Sequence, residues 1–216
     1  PGVEFKDLEI RAKDSMWVYA DVTVDPGNTN LPFVVTDSVE FTTNGNFQDV
    51  QLVAFGQNAI FHKSGNGNSS FYLSCDDVWE NDTPHVVYGI AVIDTNCSLT
   101  IEKGTHVYFH SNGAIVALNR GSLKINGTED EPVILEGDRL EPAYDNIAGQ
   151  WQGIYLFPLS IDNEINWGII KNSRLGIQAD TINPAASSNP TLTIRNSMIY
   201  NCSSIGISGR GSWIEG

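Results

Sequence analysis

The sequence predicts an all-β chain, a right-handed parallel β-helix preceded by a small immunoglobulin-like β-sandwich. Three observations carry that expectation. From Val86 to Gly216, β-branched runs of three to six residues return between Gly and Asn turns, and no helical period establishes itself. The runs also echo one another. Gly168-Ile169-Ile170-Lys171-Asn172 recurs as Ser197-Met198-Ile199-Tyr200-Asn201 after 29 positions, Gly176-Ile177 as Gly206-Ile207 after 30, and Ser98-Leu99-Thr100-Ile101 as Ser122-Leu123-Lys124-Ile125 after 24. The first 58 residues have a different texture, with strict alternation of apolar and polar side chains.

Residues 1–58 read as an incomplete immunoglobulin-like sandwich. Phe5, Leu8 and Ile10, the stretch Trp17 to Val24, Val39 with Phe41, and Val50, Leu52 and Ala54 supply the alternating strands. Turns at Asp25-Pro26-Gly27-Asn28 and Asn44-Gly45-Asn46 separate them, the second holding the Asn-Gly pair that suits a tight hairpin. Residues 59–84 read as a linker, Gly/Asn/Ser-rich at first, followed by a covering segment from Phe71 to Trp79.

Residues 85–216 form the predicted solenoid, because a strand repeat of this length cannot bury its apolar face until neighbouring turns stack. Ile169 and Met198 are expected in one interior column, and Ile177 and Ile207 in another. Asn172 and Asn201 should stack at a corner, where Asn tolerates left-handed backbone. Further coils are expected beyond Gly216, since Ser212 to Gly216 looks like the start of another turn.

Composition sets the environment. With 26 acidic residues against 12 basic ones the net charge is -14, which disfavours nucleic acid and anionic lipid surfaces as partners. No apolar segment is long enough for a transmembrane helix. Cys75 precedes the first predicted coil and Cys97 opens its second strand, so the two are placed to bridge the covering segment to the solenoid, although three scattered cysteines equally suit free thiols; Cys202 suits a small buried side chain.

No catalytic constellation stands out. Asp138, Arg139, Glu141 and Asp145 fall in a polar loop before Trp151, a natural position for ligand contact on a rigid scaffold. Carboxylates there would matter to glycoside chemistry, but their spacing is not readable from sequence. His106 and His110 share a strand face with Tyr108 and stand too far apart for one metal. No metal site, cofactor motif or catalytic residue is therefore assigned. Trp151, Trp167 and Trp213 are read either as a sugar-stacking stripe or as core and corner residues.

Several segments resemble a known group. Asp76-Asp77-Val78-Trp79, His85-Val86-Val87-Tyr88-Gly89, Leu99 to Thr105, Gly137 to Pro142 and Gly149-Gln150-Trp151 resemble Bacteroidota cell-surface or secreted proteins, often lipoproteins. That resemblance implies an immunoglobulin-like region followed by a β-helix, an outer-membrane or cell-surface location with lipid anchoring of the full-length protein, and no established activity. Asp14-Ser15-Met16, Asp37-Ser38-Val39 and Asp180-Thr181-Ile182 look like the O-glycosylation sequon of that phylum, making Ser15, Ser38 and Thr181 candidate acceptors of a glycoprotein; turn chemistry explains the same pairs. The favoured function is a non-catalytic surface accessory or binding protein that contacts glycan or an envelope protein complex. The alternative is a carbohydrate-active enzyme, a polysaccharide lyase or hydrolase, on the β-helix face.

Overall fold

The computed structural model describes residues 5–11, 13–19, 33–56, 58–180 and 190–216. The chain divides into two compact units at residues 57 and 58. In the first, β1 (Phe33–Thr43) and β2 (Asn46–Gly56) pair antiparallel over their whole length, Thr43 opposite Asn46 and Val39 opposite Val50. The two-residue loop holds Asn44 at φ 51° and Gly45 at φ 80°, the left-handed pair that matches the twist of a hairpin.

An immunoglobulin-like sandwich, expected for residues 1–58, is not shown by the residues described there. Among the described residues of this unit one hairpin is present; residues 13–19 carry no strand, and Trp17 and Tyr19 are exposed. The expected turn at 25–28 and the strand from Ala20 to Val24 lie outside the described residues.

The second unit is a parallel β-helix of six coils. Coil 1 contains β3 (Ile60–Lys63), β4 (Ser70–Tyr72) and β5 (Asp77–Trp79); coil 2 contains β6 (His85–Tyr88), β7 (Ile90–Ile93) and β8 (Ser98–Glu102). Coil 3 contains β9 (His106–Phe109), β10 (Ala114–Ala117) and β11 (Ser122–Asn126); coil 4 contains β12 (Val133–Gly137), β13 (Gly153–Leu156) and β14 (Asn163–Asn166). Coil 5 contains β15 (Gly168–Lys171), β16 (Leu175–Asp180) and β17 (Leu192–Arg195), and coil 6 contains β18 (Met198–Tyr200), β19 (Ile205–Arg210) and β20 (Ile214–Glu215). The first strands of all coils form one six-stranded sheet, the second strands another and the third strands a third.

The solenoid thus starts at Ile60, and residues 59–84 are not a linker but its first coil. Ile60 pairs with His85, Ser70 with Ile90 and Val78 with Thr100, all parallel. Very short strands and a Gly/Asn-rich turn hide this coil from a repeat search, yet its backbone completes three ladders.

Inside, alternation sends every second residue of a strand to a shared core: Val107, Leu135 and Ile170 from the first sheet, Ile115, Ile154 and Ile177 from the second, and Leu99, Leu123 and Leu192 from the third. Burying each such side chain contributes roughly 1.5–3 kcal/mol. Asn163 replaces an apolar residue in the third-sheet column. It is buried but satisfied, accepting from Leu123 N (3.0 Å) and donating to Ser160 Oγ (3.0 Å) and Thr191 O (2.9 Å).

Two expected columns resolve differently. Ile177 and Ile207 are in register on the inner face, with Ile207 still 42% exposed in the last coil. Ile169 and Met198 are also in register, but they face outward, and Met198 is 55% exposed. The inner position belongs to Ile170 and Ile199. At the corner that follows, Asn172 (φ 61°) and Asn201 (φ 54°) stack, Asn201 Nδ2 donating to Asn172 Oδ1 at 2.6 Å.

Cys75 and Cys97 are joined, with Cα atoms 4.7 Å apart, tying coil 1 to coil 2. Cys202 is a free, half-buried thiol 3.3 Å from Ser173 Oγ.

Candidate functional site

The widest departure from a minimal coil is the connection from β12 to β13, which carries the residues singled out from sequence. It contains one short 3-10 turn, Pro142–Tyr144, and is fastened along its length. Asp138 N donates to Phe109 O (3.0 Å), Gln150 Nε2 to Tyr144 O (2.7 Å) and Ile147 O (2.8 Å), and Asn172 Nδ2 to Asp145 O (3.0 Å). Gly137 is required beneath it. A Cβ there would run into the Gln150 side chain, which lies across the strand end. Trp151 then turns inward, wholly buried, its ring stacked 4.1 Å from Phe109 and its Nε1 donating to Lys171 O (2.9 Å).

This anchored loop and the 110–111 turn enclose a groove of about 360 Å³, lined by His110, Ser111, Asp138, Arg139, Tyr144 and Ile147 to Gln150. His110 Nδ1 and Asp138 Oδ2 are 2.7 Å apart, and the imidazole stacks on Tyr88 at 4.7 Å. Arg139 forms a fork with Glu141 (Nη2 to Oε1 2.8 Å, Nε to Oε2 3.1 Å) while its guanidinium lies 3.9 Å over the Tyr144 ring. That hydrogen-bonded pairing holds the guanidinium above its ordinary pKa and the Glu141 carboxyl below its own.

Of the four residues expected at a ligand site, Asp138 and Arg139 line the groove. Glu141 orients Arg139 from the side. Asp145 is exposed and enters the local network through its backbone carbonyl. His110 is the residue that sequence reasoning missed, having been weighed only as a metal ligand. The usable signal was positional: His110 follows β9 as Asp138 follows β12, so stacking brings them together across one coil.

Beside the groove, the outer face of the first sheet aligns Tyr108, Glu136, Lys171 and Tyr200 on successive strands. Lys171 Nζ meets Glu136 Oε2 at 2.7 Å, both side chains largely covered. Burial works against the Lys171 charge, but its hydrogen bond to Glu136 and that carboxylate's charge keep its pKa raised. Burial and the neighbouring Glu136 charge push the Tyr108 phenol up to about 12, whereas burial lowers the His106 imidazole. Among the described residues no group of three or more His, Cys, Asp or Glu could hold a metal ion.

The tryptophans form no stripe. Trp151 is core, Trp167 is a half-buried corner residue at φ 50°, and Trp213 is half-exposed in coil 6. Ser15 and Ser38 are exposed, and each backbone N–H is bonded to the preceding aspartate at 2.8 Å; Thr181 lies outside the described residues. No described helix is long and apolar enough to cross a membrane. Comparison with known proteins finds no matching family model, no matching curated protein and no matching solved structure.

Proposed function

We propose that this chain is a non-catalytic binding module of a cell-surface protein, a rigid β-helix that holds glycan in the groove of the 138–150 loop. The observation that carries the reading is the groove itself. A Tyr144 ring capped by a guanidinium stands on a loop anchored to three coils, beside a His110–Asp138 pair that joins two of them, so binding groups are pre-positioned and little ordering cost remains. The sequence resemblance supports a Bacteroidota outer-membrane or surface location, lipid anchoring of the full-length protein and contact with an envelope complex. The exposed Ser15 and Ser38 fit a glycoprotein of that kind.

The enzyme reading has one observation in its favour: His110, Asp138, Glu136 and Lys171 converge from successive coils. Against it, each of those carboxylates and Glu141 is engaged by a cationic partner or an imidazole. Glycoside hydrolysis needs a carboxyl kept protonated by a raised pKa, and Glu141 is shifted the opposite way.

A glycan array probed with purified protein tests the proposal. Wild type should retain a defined set of glycans, and Arg139→Ala combined with Tyr144→Ala should lose them by about tenfold or more, equivalent to about 1.4 kcal/mol. Equal retention by the double variant, or none by wild type, would overturn it.

A further inference from the structure

A second groove, of about 450 Å³, lies on the other side of the same corner. His110 and Ser111 face the first groove and Asn112 the second; Gln150 lines the first and Gln152 the second. The ridge between them is stitched: Gln152 N donates to Gly113 O (2.9 Å) and its Nε2 to Ser111 O (3.4 Å).

The second groove has different chemistry. Its floor is Ile90, Ala114 and Val116 on the outer face of the second sheet, its aromatic walls are Tyr155 and Phe157, and its polar rim is Ser69, Asn112 and Gln152. None of the lining side chains is an acid, a base or a histidine, in a chain whose net charge is -14. The Tyr155 ring is held in place by its hydroxyl, which donates to Gln152 O (3.3 Å). Asn112 and Gln152 precede equivalent strands of adjacent coils, which lie about 4.8 Å apart along a parallel stack. The volume falls in the range of small-ligand sites, about 300–1,000 Å³.

We propose that this groove is a subsite for a neutral pyranose ring, a continuation across the ridge of the glycan held by the first groove. The inference rests on the glycan-binding reading for its ligand class, and on its own lining for neutrality. A pyranose has an apolar face for Tyr155 and the Ala114–Val116 floor, with hydroxyls at its edge for the Ser69, Asn112 and Gln152 rim. An anionic sugar would meet no cation there to offset its desolvation.

The test is an NMR titration of the full chain with neutral methyl glucoside and methyl mannoside, with decanoate as the acyl-chain control. Saturable shifts at the Ile90, Ala114 and Val116 methyls are expected from at least one glycoside. Val116→Trp, which fills the floor, should abolish those at Ile90 and Ala114. Gln152→Ala, a rim change that leaves the apolar core untouched, should weaken binding several-fold and keeps the test valid if the tryptophan variant does not fold. Arg139→Ala should leave these shifts unchanged, which separates this subsite from the first groove. Shifts from decanoate alone, shifts confined to His110 and Gln150, or no shifts at all would each overturn the inference.

Discussion

Acidification should loosen the first two coils through a histidine pair that sits where a solenoid ordinarily places aliphatic residues. His85 is buried and His62 partly so. Trp79, 1% exposed, stacks on both imidazoles at 4.4 and 5.0 Å. His85 Nε2 is 3.1 Å from Glu80 O, so it carries the proton; His85 Nδ1 is then an acceptor, and His62 Nε2, 2.8 Å away, donates to it. The bond needs His85 Nδ1 free of a proton and a proton on His62 Nε2, and burial disfavours a charge on either ring. Burial, then the proximity of His85, lowers the His62 pKa to about 4; burial also lowers that of His85, while the Glu80 carbonyl, Asp82 and Asp77 oppose the shift.

The sign follows from proton counting. Between about pH 6.5 and pH 4 the unfolded chain binds protons that the folded His62 refuses, so stability is complete above the unfolded pKa and falls as pH drops. Full linkage over such a shift would be about 3 kcal/mol, and partial exposure of His62 discounts it to about 1–2 kcal/mol. The assay is urea unfolding of wild type and His62→Gln across that range. His62→Gln keeps a donor for His85 and has no proton to take up, so its stability should change less with pH by that amount. Parallel pH dependence in the two proteins would show that His62 does not carry the acid sensitivity.

Three further outcomes are expected. Alkylation of the unfolded, unreduced chain should label Cys202 alone, and reduction of the Cys75–Cys97 bridge should cost about 3 kcal/mol by chain entropy, read as a lower urea midpoint. Gly137→Ala should displace Gln150 and cost about 1–3 kcal/mol, with visible shifts at Tyr144 and Ile147 by NMR. Asn172→Ala should remove both the Asn201 ladder bond and the tie to Asp145 O, costing about 1–3 kcal/mol and raising amide exchange in the 138–150 loop.

Much of the solenoid was legible in the sequence because stacking demands that equivalent residues recur. Ser98 lies opposite Ser122, Ile177 opposite Ile207 and Asn172 beside Asn201, as the repeats require. What a repeat does not carry is phase. Ile169 and Ile170 are both apolar, so alternation left open which faced inward, and Gly168 at the inner position settled it in favour of Ile170. Coil 1 escaped notice because its strands are brief and its columns hold His62 and Trp79 instead of aliphatic residues. The loop was recognised from its polar composition, but the groove was not, since the His110–Asp138 pair and the Tyr144–Arg139 stack exist only once coils stack.

Binding without turnover can be read in one experiment, co-sedimentation with an insoluble polysaccharide panel in which reducing ends and unsaturated products are measured in the same supernatant. Wild type should move into the pellet with its preferred polysaccharide and release no product, while Arg139→Ala with Tyr144→Ala should stay in solution. Reproducible product formation that His110→Ala abolishes would contradict the account and assign the groove to a carbohydrate-active enzyme.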